Sequence, residues 1–297
     1  MCYNRIMYIF LSLTAAFFYS LSGIAGKITT KYKIKNLYSL IFWLNVTALI
    51  FLPFLWAKAG HIQNPLSWPY FAYIATTAVA TLLTWKALYS IDVSVYQSLF
   101  NIQTIFVTLL SFIVLGERFP VLIYLSIALT VLGGILVSYN DKQRLGSIFN
   151  KNILLMLLAV LLYAATDIFV KLSLNTGLDP FNFQAWSLLG VAVLLSPTYF
   201  LAKKEIRVTA IQIFPLFLSN LFIVSAQVLV FIAFLTNVAV SQALAMFGSF
   251  FTLLITGITS RYYPTWLEKN SSKTYIIRLT GCAVLIAAVL LILRFAR

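Results

Sequence analysis

The chain has 297 residues, a net charge of +14, 62% hydrophobic and only 9% charged residues, and a mean hydropathy of +0.96. A soluble globule is about half apolar, so this composition excludes a water-soluble fold. The basic excess would suggest nucleic acid in a soluble chain; here it falls mostly in short loops between apolar runs, where anionic lipid headgroups are the nearer partner.

Ten apolar runs predict ten membrane-spanning helices, at roughly 6–27, 37–57, 68–89, 93–115, 120–139, 153–174, 182–202, 211–235, 238–260 and 275–295. Helix-period runs of this length exclude an outer-membrane barrel, whose strands are about 10 residues and alternate. The first run is too long for a signal peptide and lacks a small-residue cleavage site, so it reads as the first span. The connections around Asp92 and Asn237 are very short and force antiparallel neighbours. The longest polar stretch, at 140–152, separates the fifth and sixth spans. The expected fold is an all-α polytopic membrane protein: a first five-helix unit over 1–140, a linker at 141–152 and a second unit over 153–297.

The two units resemble each other. YSLSGIAGKI (19–28) and YAATDIFVKL (163–172) share Tyr, Ile and Lys at an offset of 144 residues, with Gly23 standing where Asp167 stands. SVYQSL (94–99) and AVSQAL (239–244) open the fourth and ninth spans at an offset of 145. Thr81 and Gln227 sit at equivalent depths in the third and eighth. Leu-Gly-Gly at 132–134 matches Thr-Gly-Cys at 280–282. Five helices is an odd number, so the second unit must enter the membrane from the opposite side, which makes an inverted repeat.

Polar residues recur at helical spacing inside the spans. Gln97, Asn101, Thr104, Thr108 and Ser111 are separated by 4, 3, 4 and 3 positions and are expected on one face of the fourth span. The ninth carries Gln242, Ser249, Thr252, Thr256 and Thr259, and the third Thr77, Thr81 and Thr84. Lipid cannot hydrogen-bond these groups, so they face protein or water. Helix packing accounts for Thr108, Ser111, Thr252, Thr256 and Thr259. Amides are costlier to bury, so Gln97, Asn101, Gln227 and Gln242 read as cavity lining. A carboxylate inside a span costs about 2.5–3.5 kcal/mol on insertion scales, so Asp167 must face the bundle interior, either to bind a ligand or proton or to pair with Lys171 four residues on. Lys27, Lys171 and Lys86 read as end residues that reach the interface. Tyr19, Tyr163 and Trp85 lie inside spans rather than in interfacial belts, as pocket walls or as packing. The candidate substrate-binding set is therefore Tyr19, Thr81, Trp85, Gln97, Asn101, Tyr163, Asp167, Gln227, Gln242 and Ser249.

Catalytic signatures are absent. The single histidine is His61, in a loop; there is no Cys/His cluster, phosphate-cradling glycine loop or Ser/His/Asp set, and no two acids share a span. Cys2 and Cys282 give no disulfide framework. No enzyme activity, metal or cofactor is expected.

The stretch WKALYSIDVSVYQSLFNIQTIFVTLLSFIVLGERF (85–119), followed by LTVLGGILVSY, resembles the EamA-type repeat of the drug/metabolite transporter superfamily. In that pattern a polar-striped helix closes on Gly-Glu, here Gly116-Glu117, before a Gly-rich helix. The second copy departs from it with Arg261-Tyr262, and Thr104, Ser249, Tyr19 and Tyr163 stand where relatives often have Pro or Trp. The resemblance implies a ten-helix carrier with a central cavity lined by helices one, three, four, six, eight and nine.

These observations together lead us to expect a secondary transporter of small polar or zwitterionic metabolites, such as amino acids, working by alternating access. The alternatives are a flippase-like carrier of an amphipathic solute or a non-transporting scaffold. The expected partners are a small-molecule solute, the lipid bilayer and a coupling proton, with no nucleic acid. A monomer or homodimer in a bacterial inner membrane is expected.

Orientation divides the evidence. The resemblance implies both termini on the cytoplasmic side. That arrangement puts five basic residues at the cytoplasmic ends (Arg5, Lys58, Arg118, Arg294 and Arg297) and thirteen on the other side, including Lys31, Lys33, Lys35, Lys203, Lys204 and Arg207. Positive-inside logic favours the reverse. Single cysteines in the Lys31–Lys35 and Lys203–Arg207 loops decide between them: the charge bias predicts labelling from the cytoplasmic side only, the resemblance labelling from outside only.

Overall fold

The computed structural model describes residues 5–31, 34, 36–88, 99–139, 151–262 and 272–295. Among them there is no β-strand. In chain order the helices are α1 (Arg5–Lys31), α2 (Leu37–Leu49), α3 (Leu52–Ala59), α4 (Trp68–Leu88), α5 (Gln103–Leu110), α6 (Val121–Val137), α7 (Lys151–Asn175), α8 (Pro180–Leu195), α9 (Thr198–Ala202), α10 (Ala210–Phe234), α11 (Val238–Ala245), α12 (Gly248–Tyr262) and α13 (Ser272–Phe295). Six stretches are long and apolar enough to cross a membrane: Met7–Gly26, Leu37–Ala59, Lys151–Asn175, Ala210–Phe234, Val238–Ile255 and Ile276–Phe295. Leu99–Leu115, Val121–Val137 and Pro180–Leu195 are shorter apolar helices. The chain is an integral, multi-pass membrane protein, and large apolar side chains such as Phe10, Ile113, Val121 and Phe200 stand exposed on its surface. Gln97 and the stretch 140–150 of the expected linker lie outside the described residues.

The helices run long, broken, long, broken, long, and then repeat that order. The first break, at Ile50 and Phe51, precedes Pro53 in the opening turn of α3, where a missing amide hydrogen costs nothing. The break between α8 and α9 falls at Ser196 and Pro197. The other two breaks match bond for bond. Ile102 N donates to Leu99 O at 3.1 Å and Ile105 N to Ile102 O at 3.0 Å; 145 residues later Phe247 N donates to Leu244 O at 3.1 Å and Phe250 N to Phe247 O at 3.0 Å. These bonds reach three residues back instead of four, so each tightens the helix and turns the residues beyond it.

Each half packs its helices against the other. α1 lies on α10 and α4 on α7, α2 on α8 and α9, α5 on α11, and α6 on α13. Exchanging the halves carries the first pairing into the second. α6 and α13 approach closely at their glycines. A Cβ on Gly281 would meet Val137 N at 2.7 Å and Gly133 O at 2.9 Å, and one on Gly133 would meet Leu285 Cγ at 2.8 Å. The two glycine motifs matched in sequence thus sit face to face. Small residues are needed there because lipid gives helices no hydrophobic drive to associate, leaving close packing to do it. Around this contact Ile123, Ile127, Leu244, Leu285 and Ile292 form a buried core.

One end of the bundle is tied by polar contacts within the second half and between the halves. The turn from α10 to α11 exposes the carbonyl end of one helix and the amide end of the next. Lys171 Nζ donates to Phe234 O at 2.7 Å and Leu235 O at 2.8 Å, while Glu117 accepts from Val238 N at 3.0 Å and Ala239 N at 3.3 Å. Each charge has the sign that the adjacent helix dipole favours. Gly116, at φ +67°, supplies the left-handed turn that brings Glu117 there. Close by in the fold, Gln63 Oε1 accepts from Asp179 N at 2.7 Å, Asn182 Nδ2 donates to His61 O at 2.9 Å, and Trp186 Nε1 donates to Gln63 O at 2.9 Å, stitching the loop 60–67 to the start of α8.

Two outcomes follow for stability in detergent. Gly281→Val forces a side chain into backbone and is expected to cost about 1–3 kcal/mol, read as a lower melting temperature, whereas Gly23→Ala, with nothing within 4 Å of its added carbon, leaves it unchanged. Glu117→Ala removes the cap on α11 and is expected to cost about 1 kcal/mol, within the usual range for a lost cap, in the same melting measurement.

Candidate functional site

Asp167 lies on α7 eight residues before its end at Asn175, about 12 Å along the axis. It is partly buried, and the donor it finds comes from the other half: Gln103 Nε2 donates to Asp167 Oδ2 at 2.9 Å. Tyr19 of α1 and Tyr73 of α4 lie within electrostatic reach of the same carboxylate. Tyr163, one turn before Asp167, is hydrogen-bonded through its hydroxyl to that of Thr81 at 3.3 Å, and its ring lies 5.5 Å from that of Phe100. The acid thus meets α5 through Gln103 and lies within electrostatic reach of tyrosines on α1 and α4.

Lys171 does not share this site. The expected ion pair along α7 gives way to the carbonyls that end α10, because a helix C-terminus offers unsatisfied acceptors and negative potential in one place. The carboxylate nearest to its charge in effect is Glu117.

The other predicted residues divide into separate groups. Asn101 is fully buried at the crossing of α5, α6 and α12. Its Oδ1 accepts from Ser249 Oγ at 3.3 Å, its Nδ2 is without a partner, and a Cβ on Gly134 would fall 2.6 Å from its carboxamide. Gln227 Oε1 accepts from Gln184 Nε2 at 2.9 Å, joining α10 to α8. Gln242 is buried within α11. Trp85 packs with apolar side chains of α2, α8 and α10, among them Ile41, Leu195 and Leu216. Tyr19, Thr81, Tyr163 and Asp167 are brought together; Asn101 with Ser249 and Gln227 with Gln184 are polar pairs elsewhere; Gln97 is outside the described residues.

Three members of these groups were not in the predicted set. Gln103 falls off the stripe that runs through Asn101 and Thr104, and it follows the tight turn at Ile102. Thr108 on that stripe simply returns a bond to Thr104 O at 2.7 Å, the packing expectation. Tyr73 did leave a signal, because it extends the Thr77, Thr81, Thr84 stripe by one turn. Gln184, near the start of a span, gives none that separates it from an interfacial residue.

No curated protein matches the sequence. A solved crystal structure, described only as that of a protein, superposes with a TM-score of 0.77, covering 97% of this chain and 96% of its own at 11% identity. At that identity the likeness speaks for the fold alone. Residues 6–139 match the EamA-like transporter family, the part of the chain that contains α1 through α6 and contributes Tyr19, Tyr73 and Gln103 around the acid. That match covers a little under half of the chain, and over it the chain is similar to the EamA-like transporter family.

Proposed function

We propose that the chain is a secondary carrier built as two inverted five-helix repeats, 1–140 and 153–297, that moves a small polar metabolite past Asp167 by alternating access. The observation that carries this reading is the bond between Gln103 of the first half and Asp167 of the second. A charge held inside a span marks a solute or ion path when it is not consumed by structure, and here the adjacent lysine is employed elsewhere. The repeat is supported by the tight turns at Ile102 and Phe247 and by the exchange of helix pairings between halves. Broken helices in corresponding positions are what rocking of one repeat against the other uses to build a site near the midplane. The sequence holds no nucleotide-binding motif, so a gradient would drive the cycle.

A groove of about 270 Å³ lies between α2 and α8, lined by Phe42, Asn45, Leu49, Leu189 and Val193 among others. It contains none of the Asp167 group, so it gives the flippase-like alternative no support.

Liposomes carrying the purified protein, tested with a panel of labelled metabolites, decide the matter. Saturable uptake that Asp167→Asn and Gln103→Leu each reduce about tenfold or more, the value of one charged hydrogen bond, with melting temperatures held, is the expected result. A scaffold would take up no solute, and the same variants would change only its stability.

A further inference from the structure

The same acid also fixes the sign of the cargo. We propose that the Asp167 site takes an organic ammonium, a cation that brings its own N–H donors and carries no carboxylate. The inference rests on the carrier reading above and goes beyond it in naming the chemical class.

The first argument is the polarity of what the site offers. An ionised carboxylate only accepts, so the Gln103 amide must turn its NH₂ toward Asp167. That bond, at 2.9 Å, fixes the opposite end of the amide as a carbonyl. Gln103 is 4% exposed, and its Oε1 is buried with no partner. A carboxylate has about four acceptor positions, and the Gln103 bond fills one. The pair therefore spends a donor on itself and presents acceptors. An unpaired buried acceptor is costly, and a ligand carrying N–H groups recovers that cost.

The second argument is the walls. Tyr163 lies one turn before the acid with its ring 5.5 Å from that of Phe100, and Tyr19 and Tyr73 lie within electrostatic reach of it. Aromatic faces carry negative potential, which attracts ammonium groups and repels carboxylates. The third is that the described residues supply no free counter-charge. An amino acid needs a cation for its own carboxylate. Lys171, the basic group on the same helix, already holds Phe234 O and Leu235 O and lies within reach of Glu117. Lys86 stands exposed in the last turn of α4. A zwitterion at Asp167 would meet one carboxylate with another.

The test uses the full-length protein in liposomes and matched probes on two tails. Butylamine, norvaline and pentanoate form one set; phenylethylamine, phenylalanine and 3-phenylpropionate form the other. Each set varies charge while keeping the tail. We expect saturable uptake of an amine that its amino-acid and carboxylate counterparts do not compete away. Asp167→Asn should weaken half-saturation roughly 10–100-fold, the equivalent of a charged hydrogen bond, with Asp167→Glu retaining part of it. Uptake of an amino acid or carboxylate in preference to its amine overturns the ammonium proposal and leaves the carrier reading intact. Stabilisation by sodium alone, with no response to either amine in uptake or in melting temperature, overturns it in favour of an inorganic cation. Uptake of no probe, with no thermal response to any, overturns it too, and a wider metabolite panel that is also refused brings down the carrier reading with it.

Discussion

A hydroxyl or amide carried into a bilayer must find its partner inside the protein, because acyl chains offer none. Many do so within their own helix: Ser12 to Tyr8 O, Thr108 to Thr104 O, Thr130 to Ser126 O and Ser138 to Gly134 O, all between 2.7 and 2.9 Å. Others pair across helices. Asn220 Nδ2 donates to Leu44 O at 2.7 Å and Thr47 Oγ1 at 2.6 Å, and Ser249 serves Asn101. The two charges nearest Asp167 in function, Lys171 and Glu117, close the open ends of α10 and α11. After this pairing a partly buried acid remains, held by a single amide whose own carbonyl is unanswered.

The two halves are alike in architecture and unlike in chemistry. The helices around Ile102 and Phe247, 145 residues apart, break with the same two short-range bonds. Yet Asp167 stands where the first half has Gly23, and the second half offers Arg261-Tyr262 where the first has Gly116-Glu117. Glu117 reaches across to the second half, whereas the second copy has no carboxylate at the matching position to return. A duplicated frame can thus hold one acid rather than two. Two like charges at one site would repel in a low dielectric, while one acid bonded to an amide, with tyrosines in electrostatic reach, is tolerable.

The hydrocarbon environment explains how much of this could be read from residue order. Membrane thickness writes spans as apolar runs, so the helices appear where the runs do: α6 at Val121–Val137 for an expected 120–139, and α10 at Ala210–Phe234 for 211–235. The cost of burying a carboxylate singled out Asp167 without any structure. The matched glycines of the fifth and tenth spans were visible as motifs, and their contact follows from the need for small residues where helices touch.

Partnership was another matter. Spacing along α7 placed Lys171 beside Asp167, but a helix C-terminus from sixty residues away outbid it, and no local rule ranks a near carboxylate against a distant set of carbonyls. Gln103 lies off the polar stripe of its helix, so periodicity gave no reason to pair it with the acid. The sequence by itself determined a helical membrane protein and singled out one acid within its apolar runs, because those are set by transfer free energy and helical period. Which groups answer that acid was decided only by the tertiary structure, because hydrogen bonds depend on angles and distances that small departures from a regular helix redirect.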